Sequence, residues 1–385
     1  MMIKTVDKIV DIDIFQDVFG SIDKNFIESI VSISSVFNDE QNFLMMTKNS
    51  IYAYGERICK MLSLKHDSSK PQKIYLLNFI KIVQVDFGDN FVVLLTNDGH
   101  VYVASDDYFW NTKKTFKLLT DINDNNDRFK MIACGTRDLL LLRKDGTVFK
   151  STQTLNSNGI PLKCIELVEG LKNVKLIACG PDHYFALTNR EKLYGQSHEN
   201  DSKPKFFQFP RDSINSRIKD IAFGEYFSLF LLENGELYFC GKDLTNTDIY
   251  SSSKLVLGQV ERIATTKYSK FALAYSKSSY YVWGKIHEHH WPSFTKLNAK
   301  FGSFAAVVEK FTPSPLTFGL TSTFYQLEQY KYPFSKFEKS IRQLFNNPDN
   351  YDVEFIVGQQ KQRILACKFF LKSVSEYFCK MLSGK

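Results

Sequence analysis

A chain of 385 residues has room for two domains, or for one large repeat domain with an appendage. Hydrophobic residues make up 44% and charged residues 24%, an ordinary globular composition, and no run of about 18 uncharged apolar residues is present to serve as a membrane-spanning helix. The net charge is +7, but Lys331–Lys385 holds ten Lys/Arg against five Asp/Glu, so the rest carries only about +2 and lacks the basic excess of a nucleic-acid-binding domain.

Aromatic residues reach 15%, with 34 Phe and 19 Tyr, which favours extended sheet structure. The seven Cys form no CxxC pair and no dense, even pattern, as expected of reduced thiols in a cytoplasmic or nuclear compartment. The opening MMIKTVDKIVDID has no apolar core of signal-peptide type. Residues 1–29 form an extension ahead of the first repeat.

From residue 30 to 311 one block recurs: an apolar strand, a small residue or Gly, a second apolar strand, a polar turn and a third strand. The clearest copies are Ile82–Ser105, Phe129–Thr152, Val174–Ser197 and Ile218–Gly241. Val260–Gly284 is weaker, Ile30–Gly55 comes first, and Phe294–Lys310 is an incomplete seventh. Gly88, Gly135, Gly180 and Gly224 are 47, 45 and 44 residues apart, a period that accommodates one four-stranded antiparallel blade per repeat. These glycines are expected where one backbone passes close to the next. Ala133, Cys134, Ala178 and Cys179 are expected near a central channel. Asp98-Gly99, Asp145-Gly146 and Asn234-Gly235 separate apolar runs as type I′ hairpin turns would. Arg190-Glu191 replaces that pair in the fourth of the recurring blocks, where a different turn is expected.

The pattern Ile-Ala-Cys-Gly, Leu, turn-Gly, Val/Leu-Tyr, ending small or in Trp-Gly as at Trp283-Gly284, resembles the regulator of chromosome condensation repeat. The resemblance implies a mostly β fold, a seven-bladed propeller with six blades as the alternative. WD40 and kelch patterns do not recur. The family's Gly-Gln-Leu-Gly stretch survives only as Gly195-Gln196 and Gly258-Gln259.

Pro313 and Pro315 mark a linker over 312–333. Residues 334–385 then begin with the capping-box pattern Ser335-Lys336-Phe337-Glu338 and a helix through Phe345. Phe334, Phe337, Ile341, Leu344 and Phe345 form one apolar stripe, a candidate partner surface. Pro348 stops the helix. Val353, Phe355 and Val357 alternate as a strand, Gln362–Lys368 reads as a second, and Lys372–Leu382 as a helix with Val374, Phe378 and Met381 inward. This order, with Asp352–Val357, Ala366-Cys367-Lys368 and Ser375–Phe378, resembles the opening of a BTB/POZ domain, an incomplete α/β segment. Ile14-Phe15 and the Phe26–Ser32 stretch are similar to the short helix that precedes blade one in animal proteins joining this propeller to a BTB domain.

Other chemistry-bearing residues have plainer readings. His287-Glu288-His289-His290 is too cramped for zinc without distant partners and reads as a solvated blade-connecting loop. The Cys of the Ala-Cys-Gly triplets read as small core residues. Asp182-His183 has no nucleophile elbow, and His183 reads as packing or hydrogen bonding within a blade. Asn123–Asp127 reads as a polar loop, and no phosphate-binding Gly loop is present. The expectation is a protein that is not an enzyme, with no cofactor or metal and neither nucleic acid nor membrane as partner. By resemblance, the BTB segment would dimerise and recruit a cullin-type ubiquitin ligase while a propeller face holds a client protein. The alternatives are a guanine-nucleotide exchange factor for a Ran-like small GTPase, or a scaffold that has lost its partner.

Overall fold

The structure is a computed structural model that describes residues 7, 9–37, 41–119, 128–155, 159, 161–197, 204–206, 216–242, 250–324, 351–357, 362–368, 371, 372, 378 and 381–383. The chain divides into two compact units, Met1–Tyr325 and Gln326–Lys385. Among the described residues no helix is long and apolar enough to cross a membrane.

The first unit is a six-bladed β-propeller. Blades two to six are four-stranded antiparallel sheets in simple chain order, with inner strands Ile82–Phe87, Phe129–Cys134, Val174–Cys179, Ile218–Phe223 and Val260–Ala264. Blade one has inner strand Ile30–Ser35, followed outward by Phe43–Thr47, Ile51–Tyr54 and Gln72–Lys73. Its sheet continues past Ile30–Ser35 through Thr321–Phe324 to Ile9–Asp11, so both ends of the propeller chain pair in the first blade. Residues 321–324 lie inside the segment expected as linker.

The second strand of a blade is apolar at every position because both of its faces are covered. In Phe91–Thr96 every residue is buried. Val92 and Leu94 pack with Leu44, Met46 and Ile51 of blade one. Phe91, Val93 and Leu95 pack with Ile132, Leu139 and Leu141 of blade three. A period of two thus sends alternate side chains into successive inter-blade cores. Each such fully buried large apolar side chain contributes about 1.5–3 kcal/mol.

The turns correct the expected type. Gly99, Gly146 and Gly235 have φ of +89°, +91° and +85°, but Asp98, Asp145 and Asn234 do not have positive φ. Gly99 N–H donates to Thr96 O at 3.0 Å, and Thr96 N–H to His100 O at 2.9 Å. This is a three-residue loop with glycine in the left-handed position, not a type I′ turn. Blade four makes the same loop rather than a different one, with Glu191 at φ +58° and Thr188 N–H donating to Lys192 O at 2.9 Å. The two-residue turn with both φ positive occurs instead at Lys277 (+48°) and Ser278 (+57°) in blade six.

The expected seventh copy is also corrected. Phe294–Lys296 belongs to the last strand of blade six, and Phe304–Glu309 is a helix. Ser303 Oγ caps it by accepting from Ala306 N at 3.1 Å. Phe304, Ala305, Val307 and Val308 are its buried residues, a helical rather than alternating spacing. Buried Asp7 accepts from Phe304 N (3.0 Å) and Ala305 N (3.1 Å), and Arg262 Nη1 stands 3.7 Å from its carboxylate. At the amino end, short helical segments Ile12–Phe15, Gln16–Phe19 and Lys24–Ser29 precede blade one.

In the second unit Val353–Val357 pairs antiparallel with Gln362–Ala366. Leu371, Lys372, Phe378, Met381 and Leu382 are helical. Phe378 packs on Phe355 with centroids 5.7 Å apart, but Met381 is 45% exposed rather than inward.

Candidate protein-binding face around the central channel

The inner strands surround a channel whose cavity is only about 170 Å³, lined by Ala133, Ala178 and Cys179 among others. Cys134, also expected there, is buried between blades two and three instead. The channel's polar groups are spent on joining blades. Gln84 Nε2 donates to Ile132 O (2.7 Å) while its Oε1 accepts from Ile132 N (3.0 Å). Asp86 Oδ2 accepts from Cys134 N at 2.8 Å. Cys179 Sγ lies 3.4 Å from Ala133 O, and burial pushes its thiol well above the usual range, so it is a packing group and not a nucleophile.

At one mouth Lys267 of blade six reaches across the ring. Its Nζ donates to Asp86 Oδ1 (2.9 Å), to Phe87 O (2.5 Å) and to Cys134 O. Burial opposes its charge, but the Asp86 carboxylate prevails and holds the ammonium above the ordinary lysine value. Tyr268 stacks on Phe87 beside it, centroids 6.5 Å apart. The sequence signal was indirect: Thr265-Thr266-Lys267 stands where other copies have Cys-Gly, which marked a weak repeat and not a bridge.

Around this mouth the loops between first and second strands are bonded to their neighbours. Asp89 N–H donates to Thr136 O (2.9 Å), Thr136 N–H to Pro181 O (3.1 Å) and Glu225 N–H to Ser269 O (3.0 Å). A Cβ on Gly88 would lie 2.7 Å from Thr136 O, and one on Gly135 3.2 Å from Gly180 O, so these glycines do admit a neighbouring backbone. Near Gly180 and Gly224 the close groups are the rings of His183, Phe223 and Phe227. His183 packs within its own blade, its ring 5.9 Å from that of Phe185, and also bridges to the next: its Nε2 is 3.2 Å from Ser228 Oγ and its ring meets Phe223 at 4.8 Å.

In blades two to six one position of each such loop is left outward. Asn90, Arg137, Asp182, Tyr226 and Lys270 are all exposed, each directly before the second strand or one residue short of its first pairing. Lys270 Nζ is 3.7 Å from Glu225 Oε2, and a hydrogen bond with Glu225 raises the Tyr226 phenol above its usual value. A fixed backbone therefore presents an amide, two cations, a carboxylate and a phenol from five neighbouring blades, a surface suited to recognising a protein.

The other sequence candidates fall elsewhere. Phe334, Phe337, Ile341, Leu344 and Phe345 lie outside the described residues, as does Asn123–Asp127. His287 and Glu288 are not a blade-connecting loop: they form the tight turn inside blade six between Ile286 and His289. Among the described residues no group of three or more His, Cys, Asp or Glu is placed to hold a metal ion.

The family model for the regulator of chromosome condensation (RCC1) repeat matches residues 218–244, in blade five. The guanine nucleotide exchange factor SRM1 of Saccharomyces cerevisiae is 29% identical over 201 residues, covering 42% of this chain, and the chain spans only 40% of that relative's length. A chain in the crystal structure of Kap60 bound to yeast RCC1 (Prp20) is 21% identical with a TM-score of 0.53, covering 70% of this chain and 75% of that one. Prp20p from Saccharomyces cerevisiae, studied for its binding to Gsp1p and histones, is 19% identical with a TM-score of 0.50 over 82% of this chain and 86% of that one. Human WBSCR16 is 15% identical with a TM-score of 0.52 over 69% of this chain and 83% of that one. The structural likenesses speak to fold: this is a mostly β, RCC1-like propeller with an RCC1-type repeat. None of these findings shows a BTB/POZ domain, a dimerising segment or a cullin partner.

Proposed function

We propose that the propeller binds a Ran-like small GTPase and promotes release of its nucleotide. The similarity to an exchange factor across 201 residues carries this reading. The rim supplies compatible chemistry: Tyr226 as an aromatic anchor, with Arg137, Asp182 and Lys270 as charges around it. Exchange breaks no covalent bond. It requires only that the propeller hold the nucleotide-free GTPase more tightly than the loaded one. The adaptor reading has less in its favour, since the hairpin Val353–Ala366 is a motif common to many folds. A cytoplasmic or nuclear location remains part of the proposal.

The test is release of a fluorescent GDP analogue from a Ran-like GTPase, with excess GTP and the full chain added. Release at least tenfold above the spontaneous rate is expected. Release at the spontaneous rate, with no complex formed by the nucleotide-free GTPase, would overturn the reading.

A further inference from the structure

At the opposite ends of the strands from the rim, blades one and two leave a second opening. It is a groove of about 550 Å³, within the range of ligand and peptide sites. Its floor mixes apolar residues, Val31, Met46, Ile82 and Leu320 among them, with uncharged polar ones such as Ser32, Asn49 and Ser322. Among the described residues its charged lining residues are Lys48 and Lys81, both exposed, and no carboxylate lines it.

Phe79 stands at its edge, 82% exposed. Its φ is +60°, a conformation that bulky residues adopt at a cost. The backbone there is pinned: Phe79 N–H donates to Asn49 O at 3.0 Å, and Ser50 Oγ to Asn78 Oδ1 at 3.3 Å. The ring is thus presented to solvent from a rigid mount, with Val31, 49% exposed, also in the groove. An exposed aromatic, a partly apolar floor and two lysines with no carboxylate beside them among the described lining residues define the complementary ligand.

We infer that this groove docks an acidic peptide segment of a partner protein, with apolar side chains on the floor and against Phe79 and carboxylates meeting Lys48 and Lys81. A nucleic acid would satisfy the lysines but leave the apolar part of the floor uncovered, so a peptide is favoured. The inference is independent of the GTPase reading, because it concerns other residues at the other end of the blades.

The experiment is fluorescence anisotropy on the full chain with a short labelled peptide of Phe and Leu interspersed among Glu and Asp. A basic counterpart, an acidic peptide without apolar residues and a single-stranded oligonucleotide are compared. The acidic apolar peptide should bind at least tenfold tighter than each of the others, with affinity falling as salt rises. K48E/K81E should weaken it at least tenfold. Phe79→Gly should do the same while the thermal midpoint holds or rises, since glycine accepts positive φ, which separates lost contact from lost fold. Equal binding of the basic peptide, stronger binding of the oligonucleotide, or unchanged affinity in K48E/K81E would overturn the inference. So would concentration-dependent dimerisation abolished by Phe79→Gly, which would assign the face to a second copy of this chain.

Discussion

Lys267 Nζ donates to Asp86 Oδ1 across 2.9 Å, joining residues 181 positions apart in the chain. Blade six is thereby tied to blade two, and through the Cys134 carbonyl to blade three. Removing one partner of a buried ion pair leaves the other charge unpaired at a cost of about 3–5 kcal/mol. Lys267→Met should lose that much in urea unfolding. Lys267→Met combined with Asp86→Asn should lose clearly less than the sum of the single changes, by about 0.5–3 kcal/mol. Additive losses would mean the two side chains are not coupled.

Gly146 has φ +91°, and a Cβ there would lie 2.9 Å from Asn173 Cα at the edge of the next blade. Gly146→Ala should cost at least the roughly 1–2 kcal/mol of a left-handed residue, because the added carbon also presses on blade four. Glu191 already tolerates this conformation, helped by its ion pair with Lys175 at 2.5 Å. Glu191→Gly should therefore change stability by less than about 1 kcal/mol, as relief of strain offsets the lost pair. Paired denaturation curves decide both.

The rim residues are exposed, so Arg137→Glu and Tyr226→Ala should leave the thermal midpoint nearly unchanged. Each should slow nucleotide release, or weaken capture of the nucleotide-free GTPase, by about tenfold or more. Full activity in both would move the GTPase contact away from this face.

Burial raises the Asp7 carboxyl above its ordinary value of 3.8, against the hydrogen bonds from Phe304 and Ala305 and the charge of Arg262. The folded state therefore takes up a proton more readily at this site than the unfolded chain. The resulting stability is complete below the ordinary value and is lost as pH rises through the folded one. The advantage of the native chain over Asp7→Asn should grow as pH falls from neutral towards 4. A pH series of unfolding midpoints that runs parallel for the two proteins would exclude this linkage.

The hairpin Val353–Ala366 has two strands, with Ile356 67% exposed and Ile364 37% exposed. Isolated two-stranded hairpins are marginally stable. Its amides should exchange far faster than those around Ile132 and Ile221, which are almost wholly buried. Equal protection in hydrogen-exchange mass spectrometry would show that the second unit has its own substantial core.

The amino-acid sequence by itself determined the repeat, the strands and most blade boundaries. These follow from local periodicity: a strand covered on both faces must be apolar throughout, and a tight loop needs glycine or a tolerant residue after it. The same logic identified the strands of the carboxyl-terminal hairpin. Blade number, turn type and the bridges were decided by tertiary structure. Phe294–Lys310 has the apolar content of a repeat, but buried Asp7, 297 positions from Phe304, receives the amides of a helix start there. Glu191 occupies a glycine's conformation while paired with Lys175 of the same blade. Lys267 looked like a flaw in a weak repeat until ring closure brought Asp86 to it. The Phe79 groove is no motif at all: it exists because the loop before blade two is pinned to the turn of blade one. The Lys267 and Asp7 contacts join residues far apart in the chain, so their energies appear only when the ring closes, and no local pattern records them.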